Sequence, residues 1–197
     1  MSAPSAPSPI LHHVNLKTRR MDEVIEWYGA VLGMQVVHRA GDAAAWLTND
    51  GANHRLALLS NPALTDDEDK LLRTGMHHFA FEYASVDDLL DTYVRLRDAG
   101  IRPHAALDHG MTTSLYYVDP DGNSVELQVD NFGSWADSSE WMRTSPQFAA
   151  DPIGTPFDPE LMVEARDAGA GLAELHARAY AGELRPDAPL DLRFPLA

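Results

Sequence analysis

Apolar positions that alternate or recur at helical spacing divide the first third of the chain into short segments. LHHVNLKT has the pattern of a strand, and MDEVIEWYGAVLGM carries apolar residues at the spacing of a helix. Three further strand-like segments follow, separated by Gly, Asp and Asn, and these are MQVVHRA, AAAWLTN and HRLALLS. The pattern therefore predicts a β-α-β-β-β module over residues 10–61.

The same order of elements returns after a polar, acidic linker at residues 62–75. A strand pattern (HHFAFEYA) and a helix pattern (DDLLDTYVRLRDA) precede three strand patterns, RPHAALDH, TSLYYVD and NSVELQVD. The strings HHVNL and HHFAF open the two copies, which is typical of an internal repeat. We therefore predict a second βαβββ module over residues 76–131 and an α+β fold class, because neither module could bury its sheet face alone.

The two ends of the chain do not follow the repeat. Residues 1–9 are mostly Ser, Ala and Pro, a composition that predicts a disordered tail. Residues 132–197 form a C-terminal extension, which opens with many turn-forming residues and continues with a helix pattern over about 159–184. The aromatic side chains of its first part are costly to expose, so we expect this part to wrap the core or a second subunit with little regular structure. These side chains are Trp135, Trp141, Phe148 and Phe157.

Composition excludes several classes of function. The 197 residues include 15 Lys plus Arg against 30 Asp plus Glu, and the resulting net charge of −15 disfavours nucleic acid and anionic membrane surfaces as partners. There is no Cys, which excludes disulfides and thiolate metal sites. No apolar run approaches the ~20 residues needed to span a bilayer, and the N-terminus does not have the pattern of a signal peptide. We therefore expect a cytoplasmic protein.

Histidine is the residue type that changes this picture, because eight of the nine histidines precede residue 110. His13 and His78 occupy equivalent places at the start of the first strand of each module. Glu126 lies in the last strand between Val125 and Leu127, so its carboxylate and the apolar side chains face opposite ways. Taken singly, each histidine is explained as a half-buried strand residue. Two imidazoles at equivalent places and one carboxylate instead match the facial ligand set of Fe(II).

A turn between the last two strands predicts which residues face each other. DPDG, from Asp119 to Gly122, has the residues of a type I turn followed by a left-handed bulge position. That register pairs Asp119 with Asn123 and therefore Tyr116 with Glu126. Directly opposed side chains share a face of the sheet, so a phenol is predicted beside the candidate ligand carboxylate.

The chain resembles the vicinal oxygen chelate superfamily, and within it the single-domain type I extradiol ring-cleaving dioxygenases. The matching motifs are HVNL from His13, HRLAL from His54, HFAFE from His78, HGMT from His109, and YYVDPDGNSVE from Tyr116 to Glu126. The resemblance covers roughly residues 10–131. It implies a barrel-like domain built from the paired modules, Fe(II) or alternatively Mn(II) as the cofactor, and a catechol and O₂ as substrates.

The resemblance also implies roles for six residues. His13, His78 and Glu126 would be the metal ligands. His54 would be a catalytic acid or base, and His109 and Tyr116 would hydrogen-bond the substrate and the bound oxygen. A homo-oligomer is expected, because homodimers are the commonest soluble assemblies.

Two other functions belong to the same superfamily. A glyoxalase-type isomerase would use a fourth protein ligand in the fourth strand, but the equivalent place near Leu56 holds none. A metal-free protein that binds a small molecule such as an antibiotic would not need His13, His78 and Glu126. Both alternatives are therefore disfavoured.

The remaining histidines are expected to lie outside the site. His12 and His77 precede the candidate ligands directly, and neighbours in a strand face opposite ways. His38 and His104 are expected at the surface or at a sheet edge, and His176 falls on the C-terminal helix.

Overall fold

The computed structural model describes residues 8–195. The chain divides into two compact units, Met1–Asp66 and Asp67–Ala197, and the division falls inside the predicted linker. Most of the predicted N-terminal tail, residues 1–7, lies outside the described residues. Within residues 8–195 no helix combines the length and the apolar character that crossing a bilayer requires.

The first unit is the predicted βαβββ module. Its elements are β1 (Val14–Thr18), α1 (Met21–Leu32), β2 (Gln35–Ala40), β3 (Ala44–Thr48) and β4 (Leu56–Ser60). They form an open sheet in the order β1-β4-β3-β2, in which β1 runs parallel to β4. Its core consists of fully buried side chains from α1, β3 and β4, among them Val24, Tyr28, Leu47 and Leu58. The edge strand β2 is exposed along its whole length.

The second unit repeats this order and adds the extension. Its elements are β5 (His78–Glu82), α2 (Val86–Asp98), β6 (Ala105–Asp108), β7 (Thr112–Val118), β8 (Ser124–Asp130), α3 (Trp135–Thr144), α4 (Pro146–Ala150), β9 (Thr155–Pro156), α5 (Pro159–Asp167) and α6 (Leu172–Tyr180). The sheet order is β5-β8-β7-β6-β9, with β5 parallel to β8. The predicted α+β class and the paired modules are therefore confirmed.

The turn between β7 and β8 has the predicted geometry. The backbone N–H of Gly122 donates to the carbonyl of Asp119 at 2.9 Å, and the N–H of Asp119 donates to the carbonyl of Asn123 at 3.0 Å. Gly122 takes φ +77°, a left-handed conformation that glycine adopts without steric cost. The resulting register places Tyr116 opposite Glu126, as predicted.

The extension is more regular than predicted. Its Ser and Pro residues lead to the prediction of turns. Ser134 and Ser145 are instead the N-caps of α3 and α4, and their hydroxyls accept hydrogen bonds from Asp137 N–H and Phe148 N–H. The expectation for Trp135 is also wrong, because this side chain is 72% exposed.

Other parts of the extension complete the core of the second unit, in agreement with the prediction that it wraps the core. Phe157 is 1% exposed, and Met162 of α5 and Leu175 of α6 are fully buried. Strand β9 adds to the sheet by pairing with β6. The extension is therefore an integral part of this unit.

Candidate active site

The carboxylate of Glu126 is the centre of a hydrogen-bonded cluster on one face of the second sheet. The parallel register of β5 and β8 places His78 and Glu126 on the same face, with His78 Nε2 3.0 Å from Glu126 Oε2. Glu126 is only 5% exposed. Burial favours its neutral form, but hydrogen bonds from His78, Ser114 and Tyr116 outweigh burial and lower its pKa. Glu126 is therefore ionised at neutral pH.

Tyr116 lies between Glu126 and a second histidine. Its hydroxyl donates to Glu126 Oε1 at 2.9 Å, and its oxygen is 2.8 Å from His109 Nε2. Burial and the negative charge of Glu126 raise the pKa of Tyr116 well above its ordinary value. The side chain therefore remains a phenol, which can both donate and accept a hydrogen bond.

The backbone of the extension holds His109 in place. His109 Nδ1 lies 2.6 Å from the carbonyl oxygen of Ile153, and since a carbonyl can only accept, Nδ1 carries a hydrogen. Gly154 makes this approach possible. It has φ +88°, and a Cβ at this position would overlap the carbonyl oxygen of Asp108. The extension therefore orients His109 so that Nε2 faces Tyr116.

These polar groups border a cavity of about 280 Å³ within the second unit. The lining residues are His77, His78, His104, Ala105, Leu107, His109, Tyr116, Ile153, Leu192 and Phe194. The histidines and Tyr116 supply all of its polar side chains, and the rest of the wall is aliphatic or aromatic. Three lining residues, Ile153, Leu192 and Phe194, belong to the extension, which therefore closes part of the cavity.

The first unit holds its own histidine cluster. His13 is exposed and precedes β1 by one residue, rather than lying within the strand as predicted. Its ring centroid is 4.4 Å from that of His54, and nitrogen atoms of His12, His13 and His54 lie within 4.8 Å of one another. Partial burial and the neighbouring His13 and His12 lower the pKa of His54. Of the predicted site residues, this unit thus contains His13 and His54, and the second unit contains the other four.

Two histidines of the second unit lie where the sequence does not predict them. The sequence predicts that His77 faces away from the site, but His77 precedes β5, so the alternation of a strand does not apply to it and its ring lines the cavity. His104, predicted at the surface or at a sheet edge, instead lines the cavity, and it bonds the carbonyl of Asp191 at 2.9 Å and Ser124 Oγ at 3.0 Å. His38, in contrast, lies on the exposed edge strand β2 as expected.

A buried carboxylate that the sequence does not single out directly precedes His109 in the chain. Asp108 is completely buried and accepts hydrogen bonds from Gly110 N–H at 2.8 Å and from His176 Nδ1 at 2.8 Å. His176 belongs to α6, so this contact joins the extension to the residue that precedes His109. Nothing in the local sequence distinguishes Asp108 from an exposed aspartate at the end of a strand.

The chemistry of His78 and Glu126 suits a divalent transition metal. A buried carboxylate oxygen and an imidazole nitrogen converge to 3.0 Å beside an apolar cavity. Imidazole and carboxylate together are characteristic of non-haem iron and related metal sites. The residues present in this unit therefore fit two ligands of such a site.

Comparison with known proteins agrees with this fold. The sequence model of the Glyoxalase/Bleomycin resistance protein/Dioxygenase superfamily matches residues 10–127. Biphenyl-2,3-diol 1,2-dioxygenase 2 of Rhodococcus globerulus is 40% identical over 92% of this chain and 94% of its own length. Biphenyl-2,3-diol 1,2-dioxygenase 3 of the same organism is 41% identical over 88% of this chain and 90% of its own length.

A solved structure shows the same fold at lower identity. The crystal structure of a glyoxylase/bleomycin resistance protein/dioxygenase domain from Frankia sp. EAN1pec has a TM-score of 0.53 and 23% identity, and the match covers 64% of this chain and 93% of that one. The chain belongs to the glyoxalase/bleomycin resistance protein/dioxygenase superfamily.

Proposed function

We propose that this protein is an extradiol dioxygenase that opens the ring of a catechol with O₂. The observation that carries the proposal is the buried carboxylate of Glu126, which bonds both His78 and Tyr116 at the edge of an apolar cavity. The two biphenyl-diol dioxygenases that match most of the chain support the same reaction class.

The proposed metal ligands are His13, His78 and Glu126. The contact between His78 and Glu126 supports two of them, and His13 follows from its equivalent place in the repeat and from the family resemblance. The proposed ion is Fe(II), with Mn(II) as the alternative. Such an ion supplies Lewis acidity toward a catechol and a binding position for O₂.

Tyr116 and His109 are the proposed proton-handling pair. The Tyr116 hydroxyl has one hydrogen and lies within hydrogen-bond distance of both Glu126 Oε1 and His109 Nε2. The Ile153 carbonyl keeps the hydrogen of His109 on Nδ1, so Nε2 can accept a hydrogen. The Tyr116 hydrogen would turn from Glu126 to His109 Nε2 and pass to it, while the Tyr116 oxygen takes the proton of a substrate hydroxyl. His54 is proposed as a further acid or base, as the family resemblance implies.

The cavity wall indicates which catechols fit. None of its lining residues is Asp, Glu, Lys or Arg, so burial of a charged substituent would cost free energy that no permanently charged lining side chain offsets. The aliphatic and aromatic wall instead matches an apolar substituent. Among biphenyl-type diols, simple catechols and catechol amino acids, we therefore propose the first two as substrates.

The isomerase alternative is disfavoured by the register of the first sheet. Glu126 pairs with Ala80, and the equivalent pair in the first unit is Asn15 and Ala57, next to Leu56. Ala57 has no ligand atom to serve as the additional carboxylate of an isomerase. A metal-free binding protein is disfavoured because it would have no use for a buried carboxylate paired with an imidazole.

We also make proposals about the oligomeric state, location and partners of the enzyme. We propose a homo-oligomeric, cytoplasmic protein that acts on small molecules and not on nucleic acid or membranes. The exposed edge strand β2, which includes Val36 and Val37, supports association, because sheet edges of this kind are usually covered. The mass of the purified protein in solution measures its oligomeric state.

The reaction is tested by loading the protein with Fe(II) without air and mixing it with a panel of catechols in aerated buffer. We expect oxygen consumption and a yellow ring-opened product, and we expect both to be greatest with catechols that carry an apolar substituent. The metal-free protein and His78→Ala serve as controls and should be inactive. If the loaded protein consumes no oxygen with any catechol, the proposal is wrong.

A further inference from the structure

The two histidine pairs of the sequence repeat make the same unusual contact. In the second unit, His77 Nδ1 lies 2.8 Å from His78 Nδ1. In the first unit, His12 Nδ1 lies 3.3 Å from His13 Nδ1. In both units the histidine that precedes the candidate ligand therefore turns its ring toward that ligand. The repeated HH dipeptide therefore places the first imidazole within hydrogen-bond distance of the second in both units.

In the second unit the pair is also joined to the end of the chain. Residues 190–194, which we call the C-terminal strap, lie against the cavity. Leu190 and Leu192 pack against the buried cluster of Ala105, Leu107 and Tyr116. The last strap residue, Phe194, places its ring centroid 5.9 Å from that of His77, and the carbonyl oxygen of Leu192 lies 2.9 Å from His77 Nε2.

The hydrogen positions in this chain of contacts follow from the acceptor at its end. The carbonyl of Leu192 can only accept, so His77 Nε2 carries a hydrogen. In the neutral His77 ring, Nδ1 is then an acceptor, and it takes the hydrogen of His78 Nδ1 at 2.8 Å. His78 Nε2 then faces Glu126 Oε2 at 3.0 Å, and without a metal a hydrogen lies between these two atoms. A metal ion that replaces this hydrogen would meet the lone pair of Nε2. A nitrogen lone pair in that direction is what a metal ligand must present.

We propose that His77 is a positioning residue that holds the candidate ligand His78 in its metal-binding tautomer, and that the strap carbonyl of Leu192 in turn holds His77. This inference rests on the proposed function and adds to it a residue and a segment with a defined task. Hydrogen-bond partners of metal-binding histidines orient the ring and increase its basicity. The strap therefore has two functions. It forms part of the cavity wall, and through His77 it supports the candidate metal ligand His78.

The test measures the affinity for Fe(II) in the absence of air and substrate, by competition with a coloured chelator. His77→Phe keeps the ring packing but removes both nitrogens, and we expect it to weaken Fe(II) binding by about 10–100-fold. His77→Gln keeps a donor and an acceptor and should recover most of the affinity. A chain that lacks residues 191–197 should resemble His77→Phe. His38→Phe, a matched change on the exposed strand β2, should bind like the wild type.

Thermal unfolding of each metal-free variant shows whether the variant still folds. Weaker Fe(II) binding by a folded variant then reports the loss of the contact that orients His78. If His77→Phe folds and binds Fe(II) as tightly as the wild type, the role of His77 is refuted. If only the shortened chain retains full affinity, the role of the strap is refuted. If His78→Ala itself binds Fe(II) like the wild type, the proposed metal site fails and this inference fails with it, so the two failures are distinguishable.

Discussion

The hydroxyl of Tyr116 donates to Glu126 Oε1 across adjacent antiparallel strands at 2.9 Å. Both side chains are only 5% exposed, and the tight turn from Asp119 to Gly122 sets the register that makes them neighbours. A phenol and an ionised carboxylate are thus held together as a unit beside the cavity. The proposed ring-opening reaction depends on that unit.

Tyr116→Phe removes the hydroxyl and keeps the ring. We expect the variant to fold and to bind Fe(II), with a free energy of unfolding lower by about 1 kcal/mol because one hydrogen bond is lost. We expect kcat to fall by about 10²-fold, because a preorganised hydrogen-bond donor is lost from the reaction site. Steady-state rates and metal content check this. An unchanged kcat would exclude Tyr116 from the reaction.

Gly154→Ala tests whether the extension positions His109. The added Cβ would clash with the backbone of Asp108 and push Ile153 away from His109. We expect a loss of more than about 1 kcal/mol in stability and a ~10²-fold lower kcat. Gly169→Ala is the control, since Gly169 also has a positive φ, of +104°, but no atom lies within 4 Å of its added Cβ. It should lose stability without losing kcat, and equal rates in both variants would contradict the positioning role.

His176→Ala removes the side chain that joins α6 to the buried carboxylate of Asp108. Because it removes one hydrogen bond from a fully buried carboxyl group that keeps Gly110 N–H and Thr113 Oγ1 as donors, we expect the free energy of unfolding to fall by about 1–3 kcal/mol. Chemical denaturation measures this change. His38→Ala on the exposed strand β2 should change stability by no more than about 0.5 kcal/mol. A similar small change in His176→Ala would mean that the extension is held by apolar packing alone.

His54→Gln tests the acid or base role that the family resemblance implies. The substitution keeps a polar side chain of similar reach, so folding and Fe(II) content should be unchanged. If His54 transfers a proton, kcat should fall by about 10²–10⁴-fold. Rates measured across a range of pH check this, and an unchanged rate at every pH would remove His54 from the mechanism.

The features that the sequence predicts well depend on local interactions. The turn residues from Asp119 to Gly122 determine the register of two strands, so the neighbours Tyr116 and Glu126 follow without knowledge of the rest of the fold. The spacing of apolar residues likewise predicts both modules. In each case the determining residues lie within a few positions of the feature they determine.

The features that the sequence does not predict depend on distant partners. His77 and His104 become cavity residues because residues 191 and 192 bring backbone carbonyls to them from the far end of the chain. The helices α3 and α4 are missed for a different reason, since Ser is favoured both in turns and at helix N-caps. Composition alone does not separate these two uses.

The most direct test of the proposed function uses isotopic oxygen. Fe(II)-loaded protein is supplied with a catechol carrying an apolar substituent under ¹⁸O₂, and the product is analysed by mass spectrometry. An extradiol dioxygenase is expected to form a ring-opened product that contains both atoms of the labelled O₂. A product with an intact ring, or a ring-opened product without the label, would contradict the assignment of this chain as an extradiol dioxygenase.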